Sequence, residues 1–188
     1  MTAVLTGGFD SPAPQSARAF RSVLEAMARP GRIETLQGAV PPAPLSVAAG
    51  TLILTLCDPT TPVYLAGKFD SAAIRSWISF HTGAPLTRAG EASFAIGSWQ
   101  ELQPLSAYQI GDPSYPDRSA TLIVELEELR GEGARLSGPG IETSSHLSLP
   151  ETRAFRENAQ LFPLGIDCLF TCADRLAALP RTTRVEDN

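Results

Sequence analysis

Lysine is almost missing from this chain of 188 residues: of its 15 basic residues only Lys68 is a lysine. Any chemistry that needs a lysine Schiff base, pyridoxal phosphate catalysis above all, has that one position to use. Positive charge is also in deficit, with a net charge of -5, so nothing in the balance would draw the chain to nucleic acid. Histidine occurs twice, at His81 and His146, far apart and without cysteine or carboxylate spacing around either, which leaves no metal-ligand pattern. Cysteine occurs three times, at Cys57, Cys168 and Cys172, an odd number that suits reduced core thiols in a reducing compartment. Glycines form neither a P-loop nor a dinucleotide fingerprint, and no serine sits in a G-x-S-x-G elbow. The most apolar run, Leu52 to Cys57, is far short of the ~20 residues that span a bilayer. The first ten residues carry no basic, signal-like segment, so the expectation is a cytoplasmic protein without a membrane span.

What is present reads as one domain over residues 1–188, a length that buries enough surface to need no metal or disulfide staple. The clearest stretch is Gly111 to Gly140. Leu122, Val124 and Leu126 alternate there with Thr121, Ile123, Glu125 and Glu127, the period of a half-buried strand. Arg-Gly-Glu-Gly then predicts a reversal, with Ala134, Leu136 and Gly138 as the returning strand of a hairpin. Glu125, Glu127 and Arg135 would project from the outer face of that pair.

Upstream, Ala17, Phe20, Leu24 and Met27 recur at spacings of three and four, predicting an amphipathic helix that turns this stripe inward and ends before Arg29-Pro30-Gly31. A short strand is expected at Arg32 to Leu36, a helix over Leu45 to Cys57, and a buried strand at Val63 to Ala66. Asp70 is the expected cap of a further helix carrying Ile74, Trp77, Ile78 and His81 and ending at Gly83. Phe94 to Ile96 reads as a strand, whereas Ser98 to Ile110 has no clear pattern. Pro150 to Leu161 predicts a helix, Ile166 to Cys172 a strand, and Leu176 to Leu179 its successor after a turn at Ala173-Asp174-Arg175. Cys168 and Cys172 share a strand face, but four residues span ~13 Å there, about twice the reach of a disulfide.

The candidate polar chemistry is sparse. His81 at a helix end reads first as a packing residue and second as a titratable group. Tyr115, Asp117 and Arg118 in the tract before the central strand could form an acid-base or anion-contact group, and Arg181 and Arg184 after Pro180 add planar forks suited to carboxylate, phosphate or phosphonate.

Scattered segments carry a resemblance. Phe20-Arg21 through Met27, Pro30-Gly31, Leu54-Thr55-Leu56, Thr61-Pro62-Val63, Phe80-His81-Thr82, Ala84-Pro85-Leu86, Ala120 to Ile123, Leu136-Ser137-Gly138, Gly140-Ile141, Phe162 to Asp167 and Pro180 to Thr183 together resemble the PhnH family, a subunit of the bacterial carbon-phosphorus lyase that degrades phosphonates. The resemblance implies an α/β single domain, a mixed β-sheet flanked by helices like the large domain of pyridoxal-phosphate-dependent transferases but without that cofactor. It implies also a homodimer that joins other subunits of a core complex, in which an alkylphosphonate displaces adenine from a nucleoside triphosphate before carbon-phosphorus cleavage. Nucleotide and alkylphosphonate would then meet this chain at a shared site. It supplies no catalytic residue, so His81, Tyr115, Asp117, Arg118, Arg181 and Arg184 stand as candidate binding or interface positions. The other expectation is an independent small-molecule enzyme that uses His81, Asp117 and arginines on a phosphonate or phosphate ester.

Overall fold

Strand β6 (Thr121–Glu125) is buried on both faces, and the chain is layered around it. The computed structural model describes residues 5–187. In chain order it contains α1 (Pro12–Ala28), β1 (Glu34–Thr35), α2 (Val47–Leu56), β2 (Val63–Leu65), α3 (Ala72–Thr82), β3 (Phe94–Ser98), β4 (Ile110–Asp112) and β5 (Tyr115–Ser119). After β6 follow β7 (Ala134–Ser137), β8 (Ser145–Leu147), α4 (Arg153–Ala159), β9 (Asp167–Cys172), β10 (Arg175–Leu179) and β11 (Arg184–Glu186). The main sheet runs β1-β10-β9-β6-β3-β2. Its strands β2, β3, β6 and β9 are parallel, and β10 and β1 continue it antiparallel. This is an α/β single domain with a mixed sheet.

The pleat sends alternate residues of each strand into different cores. Ile123 of β6 and Leu169 of β9 meet α1, α2 and α3, around Ile53, Ile74, Trp77 and Ile78. Leu122 and Val124, with Cys168 and Phe170, meet the opposite layer, built from β7, β8, β11, α4 and the Trp99 to Tyr108 segment. Because both faces of the parallel strands are covered, their residues are nearly all apolar.

That double burial corrects the expected hairpin. Strands β6 and β7 do not pair. The first lies between β3 and β9, whereas the second pairs with β11 and β8 in a separate three-stranded sheet. The residues taken for a tight reversal instead form a longer crossing, with Leu129 buried and Arg130 ion-paired to Glu128 and Glu132. His146 lies in β8 opposite Arg135.

Helix ends follow side-chain chemistry. Ser46 and Ser71 cap α2 and α3, their hydroxyls accepting from Ala49 N (3.1 Å) and Ile74 N (3.3 Å). Asp70, the expected cap of α3, instead binds the Arg75 guanidinium. Gly83 ends α3 in the left-handed conformation at φ 68°, where a β-carbon would be strained. Helix α4 is shorter than predicted, starting three residues after Pro150, with Phe155 as its buried residue.

Helix α1 departs from expectation in orientation. Its buried residues are Ala19, Val23 and Ala26, while Ala17, Phe20 and Leu24 lie exposed and Met27 is half-buried. Small residues let the helix approach the sheet and α2 closely, a fit that the larger face would have prevented.

The thiols yield a measurable expectation. Cys168 is buried, and burial pushes its pKa far up; burial, aided by the Asp58 charge, pushes that of Cys57 up to about 12. Cys172 shares the β9 face with Cys168 but sits at the strand end, half-buried, its thiol donating to Glu127 O at 3.3 Å. Thiolate is the reactive form, so native labelling at pH 8 is expected to modify Cys172 at least about tenfold faster than Cys57 or Cys168. All three should react in denaturant. Comparable rates at all three in the native protein, read by peptide mass spectrometry, would contradict this packing.

Candidate functional site

Four parallel strands begin at one edge of the sheet and end at the other, and the two edges are finished differently. At the amino edge, the chain before β6 folds into a two-stranded ribbon, β4 and β5, that pairs with no other strand among the described residues. Asp112 turns its tip by accepting from Ser114 N (2.9 Å) and Tyr115 N (3.0 Å). Gly111, Pro113 and Pro116 mask these two short strands in the sequence.

Arg181 bolts the ribbon to the sheet. It follows β10, and its backbone N–H and Nε donate to Asp167 Oδ1 at 2.8 and 3.2 Å, while Nη2 donates to Asp167 Oδ2 at 2.5 Å. The remaining donors reach Pro116 O (2.8 Å) and the Ser119 hydroxyl. With side chains only 12% and 17% exposed, this is a fork-to-carboxylate pair largely withdrawn from water and joined to one backbone carbonyl and one hydroxyl of the ribbon. Arg181 is thus committed within the chain.

Arg118 and Tyr115 are displayed. The guanidinium carbon lies 3.9 Å from the centre of the Tyr115 ring, and both side chains are exposed. Asp117, also exposed, borders with Arg118 a shallow groove that reaches Ser93, Gln109 and Thr121. Thus Tyr115, Asp117, Arg118 and Arg181 share one region. His81 does not join them: its ring packs on Trp77 and Phe80 at 5.0 Å, a β-carbon on Gly8 would strike it, and its Nε2 is enclosed without a partner among the described residues. Arg184 lies exposed on β11 in the three-stranded sheet.

The carboxyl edge is where parallel α/β sheets bind ligands, since loops and helix amino termini there offer backbone N–H groups to anions. Here the chain's own carboxylates take those donors. Glu101 accepts from Lys68 N (2.9 Å) through one oxygen, and from Ser98 N (3.1 Å) and the Ser98 hydroxyl (2.7 Å) through the other. Burial opposes ionisation of Glu101, yet those hydrogen bonds hold it below the ordinary carboxylate range. Glu125, expected on an outer face, closes β6 partly buried and accepts from Ser46 N at 2.6 Å, at the entrance to α2. Burial dominates there and lifts its carboxyl above the ordinary range. Lys68 is exposed on the adjacent turn, its Nζ 5.5 Å from the Phe69 ring centre. Glu101, Glu125 and Asp167 escaped sequence reading because nothing in their spacing reveals a distant backbone donor.

A family model described as bacterial phosphonate metabolism protein (PhnH) matches residues 7–186. The chain is 38% identical over 192 residues, covering 97% of this chain and 96% of the relative, to a Rhizobium meliloti (strain 1021) protein named alpha-D-ribose 1-methylphosphonate 5-triphosphate synthase subunit PhnH. It is also 26% identical over 180 residues, 92% of this chain and 87% of the relative, to HtxG of Stutzerimonas stutzeri, a protein named as a C-P lyase subunit.

Three substitutions test this electrostatic reading. Replacing Arg181 by alanine strands Asp167 and unfastens the ribbon, so Arg181→Ala is expected to lower stability in urea by about 3 kcal/mol. Lysine cannot supply the fork, and Arg181→Lys should recover less than half of that. Glu125 behaves oppositely. A raised folded pKa favours folding most below the ordinary carboxylate pKa, and that contribution is lost as pH rises through the raised value. Glu125→Gln, whose amide oxygen can still accept from Ser46 N, should therefore be more stable than wild type at pH 7 and lose that advantage by pH 4. An advantage independent of pH would argue against a buried carboxyl there.

Proposed function

The chain belongs to the PhnH family of bacterial phosphonate metabolism proteins, and on that premise we propose that it is a site-completing subunit of a carbon-phosphorus lyase core complex. The complex transfers an alkylphosphonate to ribose C1 of a nucleoside triphosphate with release of adenine, ahead of carbon-phosphorus cleavage. In this reading the chain supplies no catalytic residue. It acts as a cytoplasmic homodimer that meets the other subunits and helps to shape a neighbour's site for nucleotide and alkylphosphonate. Its fold is read as that of the large domain of pyridoxal-phosphate-dependent transferases, used without the cofactor.

One observation carries the proposal: the chain divides its polar groups between self-occupied and displayed positions. At the carboxyl edge Glu101 and Glu125 take up the donors that would otherwise greet a phosphate or phosphonate. At the amino edge the Tyr115–Arg118 stack stands free on a ribbon fastened by Arg181. Tyrosine and arginine are the residue types that concentrate binding energy at protein interfaces. A rigid ribbon also loses little conformational freedom on docking. Separation of His81 from Asp117 disfavours an independent small-molecule enzyme built from those groups.

The test is assembly. Co-expressed with the other core subunits, the wild-type chain should co-purify in fixed stoichiometry, while the isolated chain leaves nucleotide and alkylphosphonate unchanged. Arg118→Glu is expected to weaken assembly about tenfold or more with its melting temperature unchanged. Turnover by the isolated chain would overturn the proposal, and normal assembly of Arg118→Glu would remove the ribbon from it.

A further inference from the structure

Helix α1 carries an apolar stripe that nothing among the described residues covers. Ala13, Ala17, Phe20 and Leu24 are all exposed, Phe20 to 47% and Leu24 to 53%. Their spacings of four, three and four residues trace the alternation of a coiled-coil seam along about 17 Å of helix. The small residues Ala19, Val23 and Ala26 already supply the face that packs on the core, so the stripe is a second, separate face. Large side chains placed in register on a well-anchored helix, with the core satisfied by others, match a surface that a second helix covers.

Charge selects the occupant. Arg21 flanks the stripe and Arg18 lies further round the same side of the helix, in a groove that also reaches Glu25 and Glu34; both arginines are exposed and in no ion pair among the described residues, on a chain whose net charge is -5. The acidic residue of the same helix, Glu25, is already shared between Arg29 at 3.5 Å and Arg32 at 3.7 Å. A second copy of this chain would bring its own Arg18 and Arg21 to the seam and leave all four arginines unmatched. An amphipathic helix with leucine-like residues along its seam and aspartate or glutamate beside them would satisfy both the stripe and the arginines. We propose that the Ala13–Leu24 stripe of α1 is a docking seam for an acidic-flanked amphipathic helix of another subunit.

This rests on the reading of the chain as a subunit, and adds a surface on a different layer from the ribbon. Two measurements test it in the co-expressed complex. Phe20→Glu and Leu24→Glu each change an exposed position, so the melting temperature of the isolated chain should hold while co-purification of the other subunits falls at least tenfold. Arg18→Glu combined with Arg21→Glu should produce a smaller loss, deepened at low ionic strength, where like-charge repulsion is least screened. Independently of folding losses, the photo-crosslinking substitution Phe20→p-benzoylphenylalanine should trap a helix of another subunit with acidic residues flanking the attached position.

A crosslink to a second copy, to a non-helical segment or to a basic helix overturns the seam, as does full co-purification of both glutamate variants. If the wild-type chain itself fails to co-purify, the subunit reading falls and the seam with it. If wild type and variants all assemble alike, the seam alone falls.

Discussion

Burying both faces of strand β6 is the constraint from which the other elements take their places. Ile123 needs one apolar layer and Leu122 with Val124 needs another, because a parallel strand in the middle of a sheet has no face to give to water. Three helices answer the first demand. The second is met by β7, β8, β11 and α4, which explains why the chain leaves the main sheet after Glu125 and returns only at Asp167. A tight hairpin after β6 would have left Leu122 and Val124 without that covering layer.

The same arrangement decides where charge can be used. Parallel strands end together, so their loops gather backbone donors at one edge, and in this chain Glu101 and Glu125 satisfy them from within. Two carboxylates of the chain occupy that edge. At the opposite edge a buried fork, Arg181 on Asp167, fixes a ribbon whose outer residues remain available. Arginine suits both tasks for different reasons: four guanidinium hydrogen bonds tie together a partly buried cluster at Arg181, and a flat cation stacks on an aromatic ring at Arg118.

Helix α1 shows how a correct period leads to an incorrect face. Ala17, Phe20, Leu24 and Met27 recur as an inward stripe should, yet the sheet and α2 receive Ala19, Val23 and Ala26. Which of two apolar faces is buried depends on how closely the helix must approach, a property of its neighbours. Where a sequence carries more apolar surface than its own core consumes, the excess belongs to association.

By itself the sequence determined the elements whose signal is local. The α2 and α3 helices, strands β2, β3 and β9, the turn into β10 and the stop at Gly83 all follow from periodicity and backbone preference over a few residues. The family was legible as well, through short segments spread over the chain. Tertiary structure alone decided the partner of β6, the outward face of α1, the shortening of α4 and the strands hidden among the prolines and glycines of the ribbon. It also sorted the candidate residues, Arg181 into a buried clamp and Tyr115 with Arg118 into display, whereas the packing of His81 is its first reading from the sequence. The clamps depend on contacts between residues tens of positions apart, Arg181 with Pro116 and Ser46 with Glu125, and no local pattern encodes which distant donor a side chain will meet.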